Sequence, residues 1–87
     1  MNREEIKHLT KTTIEEVKKV QYDDDLFNRD LIDLNIDSIS FIKLIVNLET
    51  KFDITFGEEL SLFDKNTTVN FIVDRICVLI KKGEADG

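Results

Sequence analysis

The chain has 87 residues, enough for one domain that buries about two-thirds of its unfolded surface and too few for a deep active site. With 18 acidic against 12 basic residues its net charge is −6, which argues against nucleic acid or anionic membrane as partners and favours proteins with basic surfaces. The one cysteine, Cys77, rules out an internal disulfide, and with the one histidine, His8, it cannot complete a Cys/His metal set. No metal site is expected, and the compartment reads as reducing.

The start, Met1-Asn2-Arg3-Glu4-Glu5, runs into charged residues, and no stretch reaches the roughly eighteen consecutive apolar residues of a membrane span. A cytoplasmic chain without signal peptide or span is expected. There is no proline, no Gly/Ser linker and no repeat, so residues 1–87 read as a single domain with a frayed tail at 83–87.

Asn2 with Glu5 three residues later is a capping-box variant, and it predicts a first helix over roughly residues 3 to 20. Ile6, Leu9, Thr13 or Ile14, Val17 and Val20 form its apolar face, with His8 among the polar positions. Periodicity then fails from Gln21 to Asp37. The run Asp23-Asp24-Asp25 lacks the alternating oxygens and mid-loop glycine of a calcium loop and reads as solvated. Leu26, Phe27, Leu31, Ile32, Leu34 and Ile36 are too many apolar residues for a disordered linker, so the loop should pack across the helices and deliver Asp37 and Ser38 to the surface.

A second helix is predicted from Ser38 to about Lys51, with two apolar rows. Phe41, Leu44 or Ile45, Leu48 and the following Phe52 would face the core; Ile39, Ile42 and Val46 form a row displaced around the helix. A small domain covers about one such face, so part of the second row should stay exposed as a docking surface, and Glu49 joins it as a candidate partner contact. Ile54 and Phe56 alternate without a partner strand, so an extended loop is expected there, followed by a short helix near Glu58–Phe63. Thr67 or Thr68 caps the last helix, which buries Val69, Ile72, Ile76 and Leu79 or Ile80, holds Cys77 among apolar neighbours and ends at Gly83. The class is all-α.

Ser38 stands at the N-cap or first turn of the second helix, where unpaired N–H groups and the helix dipole favour an anion. Capping alone would explain an Asp-Ser pair in that place. The context adds to it: Leu34-Asn35-Ile36-Asp37-Ser38-Ile39 resembles the modification-site signature of acyl and peptidyl carrier proteins, in which a leucine, a small or polar residue, any residue and then Asp-Ser-Leu precede a long apolar helix. Asn35 replaces the frequent glycine and tolerates left-handed backbone nearly as well, and Ile39 keeps an apolar group where leucine is usual. The likeness extends over nearly the whole chain, through Glu49-Thr50-Lys51-Phe52-Asp53-Ile54 and Thr67-Thr68-Val69, and implies a four-helix bundle with a long loop between helices 1 and 2 and a short third helix.

By that resemblance Ser38 would accept 4'-phosphopantetheine from coenzyme A through a phosphopantetheinyl transferase, and Asp37 would help position the transferase and its magnesium. The arm would hold an acyl or aminoacyl thioester for loading, synthase and tailoring enzymes acting in trans on a monomeric carrier. The residues themselves agree with an acceptor: a serine nucleophile needs an oriented base, and His8 lies on another helix with no triad around it. The chain is therefore not expected to be an enzyme. Fatty-acid-synthesis carriers typically bear a markedly acidic second helix, whereas this one has Ser40, Lys43, Thr50 and Lys51, which points to a polyketide, nonribosomal peptide or other specialised pathway. A housekeeping fatty-acid carrier and an unmodified helical interaction domain are the alternatives.

Overall fold

In the computed structural model, which describes residues 1–86 and the side chains of residues 1–83, the capping box at Asn2 opens helix α1, Arg3–Lys18. The Asn2 side chain accepts from the Glu5 N–H at 2.8 Å, and Glu5 accepts in return from the Asn2 N–H. The helix stops two residues short of the predicted end because Lys19 turns left-handed, with φ 57°, and its N–H closes on the Glu15 carbonyl at 2.7 Å. Val20, counted on the apolar face, is consequently outside the helix and exposed. Two threonines join the core instead: Thr10 and Thr13 are fully buried, each hydroxyl donating to the carbonyl one turn back, at Ile6 and Leu9.

Helix α2, Ser38–Phe52, ends in the same manner as α1, with Asp53 left-handed at φ 53° and donating to the Glu49 carbonyl. A short 3-10 segment, Gly57–Leu62, follows, beginning with Gly57 at φ 55°, and helix α3 runs Val69–Asp86. Thr68 opens α3 by accepting from the Phe71 N–H, while Thr67 turns inward and accepts from the Asp64 N–H. The helix continues past Gly83, its expected end: an interior glycine costs only about 1 kcal/mol, which an established helix tolerates. Residue 87 of the expected frayed tail lies outside the described residues. Among the described residues the secondary structure is helical throughout apart from one isolated bridge, and the order is the expected long–long–short–long all-α bundle.

The loop between α1 and α2 is part of the core. It holds two 3-10 segments, Asp24–Asn28 and Ile32–Leu34, the first packed on α3, and buries Leu26, Phe27, Leu31, Leu34 and Ile36 in the shared core. Its backbone is tied to the start of α3: the Leu31 and Ile32 N–H groups donate to the Thr67 and Lys65 carbonyls at 3.0 and 2.9 Å, and the Val69 N–H donates to Arg29. Buried backbone groups need such partners, and this short pairing supplies them. On the other side, Arg75 of α3 grips Glu59 of the third 3-10 segment with two hydrogen bonds, holding that carboxyl below its usual range. If the loop is core, Leu26→Ala should cost about 2–5 kcal/mol in urea unfolding, the same range expected for Leu48→Ala in α2. A cost under roughly 1 kcal/mol would make it a tether.

Candidate functional site at the start of α2

The turn into α2 is built one residue at a time. Leu34 and Ile36 point into the core, and Asn35 between them takes left-handed backbone at φ 58°, which reverses the chain. Its N–H donates to the Ile32 carbonyl, the Ile36 N–H donates to Leu31, and Lys18 of α1 donates its ammonium to the Asn35 carbonyl at 2.7 Å. With both neighbours buried and the reversal pinned from α1, Asp37 and Ser38 are forced outward, and both are exposed.

The two residues then divide the work. Asp37 is the N-cap, extended at φ −80° and ψ −176°, and its Oδ1 accepts from the Ser40 N–H at 2.8 Å. Ser38 is the first residue of the helix. Among the described residues its hydroxyl has no hydrogen-bond partner, so it has no structural task at this helix start. It stands beside the unpaired N–H groups of the first turn, where the positive end of the dipole lies.

No base is at hand for it. His8 lines a separate cleft on α1 with Glu4, Lys7, Lys11, Asp24 and Phe27. Asp37 is adjacent, but the bond from the Ser40 N–H, with a further contribution from the Lys18 charge, holds its carboxyl below the usual range and makes it a poorer proton acceptor. Ser38 therefore presents a free hydroxyl without the means to activate it.

Beside Ser38 opens a groove of about 470 Å³. One wall is α2 with Phe41 and Ile42, the floor is Leu31 and Ile36 from the loop, and the far wall is Phe63 and Lys65 from the segment before α3. Phe63 packs edge-on against Phe41, Phe56 and Phe71, with centroids 6.2, 5.7 and 5.9 Å away, so three rings brace this wall. Phe41, expected in the core, is half-buried because it faces the groove. Phe63 and Lys65 were not singled out in the sequence: no local signal links them to Ser38, since the loop pairing that brings them near is long-range.

Along the outer side of α2, Ile39, Ile42 and Val46 are 67%, 61% and 56% exposed, a continuous apolar strip starting next to Ser38. Lys43, Asn47 and Thr50 accompany it, the last two folding back onto the Lys43 and Val46 carbonyls. Glu49 is placed differently from its row: it is half-buried, and its Oε2 accepts from the Phe56 N–H at 2.8 Å, closing the turn after α2.

The cap has a pH signature. A folded-state pKa below that of the unfolded chain contributes stability that is complete above the ordinary aspartate range, near about pH 4, and is lost as pH falls through the folded value. Asp37→Asn keeps a capping oxygen but removes the charge, so it should be less stable than wild type at pH 7, with the gap closing as pH falls below about 4. Urea unfolding across pH reads this; a gap independent of pH would show that the charge contributes nothing.

No curated protein and no solved structure significantly matches this chain. A family model described as the phosphopantetheine attachment site matches residues 8–76, which takes in α1 from His8, the loop, α2, the groove and half of α3. An exposed, unengaged serine hydroxyl at a helix N-terminus, beside an open groove, fits a group attached through a phosphate ester. The chain belongs to the phosphopantetheine attachment site family, the non-catalytic carriers that hold their cargo on a covalently bound 4'-phosphopantetheine.

Proposed function

We propose that Ser38 is the attachment residue and that the chain serves as an acyl or aminoacyl carrier for partner enzymes acting in trans. The observation that carries the assignment is the separation of roles at the start of α2: Asp37 does the capping, and the Ser38 hydroxyl is left exposed and unengaged. In the attachment step Ser38 Oγ forms the bond to phosphorus, the phosphoanhydride bond to the 3',5'-ADP part of coenzyme A breaks, and the hydroxyl proton leaves to a base on the transferase. Once attached, the group supplies a terminal thiol that bears the cargo as a thioester.

The chain's own residues hold and present. Asp37 fixes the first turn of α2, whose free N–H groups would meet an ester phosphate on Ser38, and its exposed carboxylate would help position the transferase and its magnesium. The groove of Phe41, Ile42 and Phe63 offers an apolar surface beside the arm. Ile39, Ile42 and Val46 make the contact surface, while Glu49 supports it from behind through the Phe56 N–H.

An α2 whose outer face bears Lys43 and no acid favours a polyketide, nonribosomal peptide or other specialised pathway over housekeeping fatty-acid synthesis. A cytoplasmic, monomeric carrier fits this role, and no helix among the described residues is long and apolar enough to cross a membrane.

Intact mass after incubation with coenzyme A, magnesium and a broad-specificity transferase should show one phosphopantetheine-sized gain in wild type and none in Ser38→Ala. No gain with several transferases, on a chain shown to be folded, would move the assignment to an unmodified interaction domain. Val46→Asp should lower kcat/KM for modification by roughly threefold to tenfold while leaving the circular dichroism spectrum unchanged. Unchanged kinetics with every partner would remove the apolar strip from the contact surface.

A further inference from the structure

Ser38 is itself part of the groove, lining it together with Phe41 and Ile42 of the same helix. From Ser38 to Ile42 this wall advances roughly 6 Å, at about 1.5 Å per helical residue. Two apolar side chains of the groove are left open to solvent, Ile32 at 50% and Ile42 at 61% exposure. Beneath them Leu31 and Ile36 are buried and form the floor, and Phe63 stands opposite, braced by its three neighbouring rings. Asp37, Asp64 and Lys65 complete the lining.

A group tethered to Ser38 enters this groove by its attached end. The 4'-phosphopantetheine arm has about fourteen bonds between the serine oxygen and its sulfur, and at roughly 1.25 Å of advance per bond it spans about 18 Å when extended. The α2 wall is about a third of that length. The arm's one strongly apolar feature, a carbon bearing two methyl groups, comes about four bonds from the serine oxygen, or roughly 5 Å. That matches the advance along α2 from Ser38 to Phe41 and Ile42, about 4.5 to 6 Å. Beyond the methyl groups follow a hydroxyl and two amides, which need water or polar partners, and then the sulfur, about 13 Å farther on.

We infer that the groove seats the inner, dimethyl-bearing part of the arm, with Phe41, Ile42 and Phe63 as the side chains that meet it, and that the thioester and its cargo lie beyond the groove. The inference rests on the reading of Ser38 as the attachment residue. Seating the methyl groups takes apolar surface of Ile32 and Ile42 out of water together with their own, whereas the amide-bearing outer part has no such surface to bury. Cargo held outside the groove is selected by the partner enzymes and not by this surface, so the carrier presents short and long acyl groups alike.

The test is NMR spectroscopy of the chain modified by a broad-specificity transferase with coenzyme A, acetyl-coenzyme A or octanoyl-coenzyme A as donor. In all three forms the arm methyls should be displaced from their positions in the urea-unfolded modified chain and should show nuclear Overhauser contacts to Ile42 and Phe63. The methyl signals of Ile32 and Ile42 should be the same in the acetyl and octanoyl forms. Ile42→Ala, at an exposed position, should return the arm methyls toward their unfolded positions. Contacts from the octanoyl chain to Ile42 or Phe63, or a further displacement of Ile32 when octanoyl replaces acetyl, would give the groove to the cargo and overturn the inference. Arm methyls at their unfolded positions in the wild-type chain would overturn it too, while leaving Ser38 as the attachment residue. No gain in mass with any of the donors would overturn the attachment reading itself.

Discussion

The hydrogen bond from the Ser40 N–H to the Asp37 carboxylate is the contact on which the site depends. It stabilises the start of α2 with a group other than Ser38, so the serine can change its chemistry without loosening the helix that presents it. A serine serving as its own cap would lose that bond when esterified, and the helix would lose an anchor with each modification. Putting the cap one residue earlier separates structure from chemistry at the price of a single side chain. The same carboxylate, held in its charged form, is a weak base, which on the proposed reading leaves activation of the hydroxyl to a second protein.

Much of this was legible in the sequence because the signals were local. The capping box at Asn2, the two apolar rows of α2 and the Asp-Ser pair all act within one helical turn, where spacing alone decides which side chains meet. Leu26, Leu31, Leu34 and Ile36 were legible as core simply because solvated loops do not carry that many apolar residues. The misses have physical causes as well. Lys19 and Asp53 turn left-handed without a glycine to announce it, Thr10 and Thr13 enter the core by giving their hydroxyls to their own helix, and Gly83 sits inside a helix already formed. Glu49 has the spacing of a surface acid, yet a backbone N–H left over at the end of the following turn draws it inward. The groove was the least legible feature, since its two walls are far apart in sequence and are joined by backbone hydrogen bonds that carry no side-chain signature.

The outer face of α2 does not follow the summed charge of the chain. Within α2 the one acid is Glu49, half-buried, and the helix turns an apolar strip and Lys43 to solvent. Net charge governs solubility and long-range encounter, whereas fit at a contact depends on the groups inside it. A strip formed by Ile39, Ile42 and Val46 would be an aggregation hazard on a neutral molecule. The net charge of −6 opposes the approach of a second copy.

The pairing of Leu31, Ile32 and Arg29 with Lys65, Thr67 and Val69 also sets an order of events during synthesis. Ser38 leaves the ribosome well before the residues that anchor the loop behind it, and α2 alone has an apolar face with nothing to lie on. Until then the loop behind the serine lacks the Lys65 and Thr67 carbonyls that accept from Ile32 and Leu31. Only when the start of α3 has been made are both halves of this pairing present, so the geometry that presents Ser38 needs residues almost thirty positions beyond it.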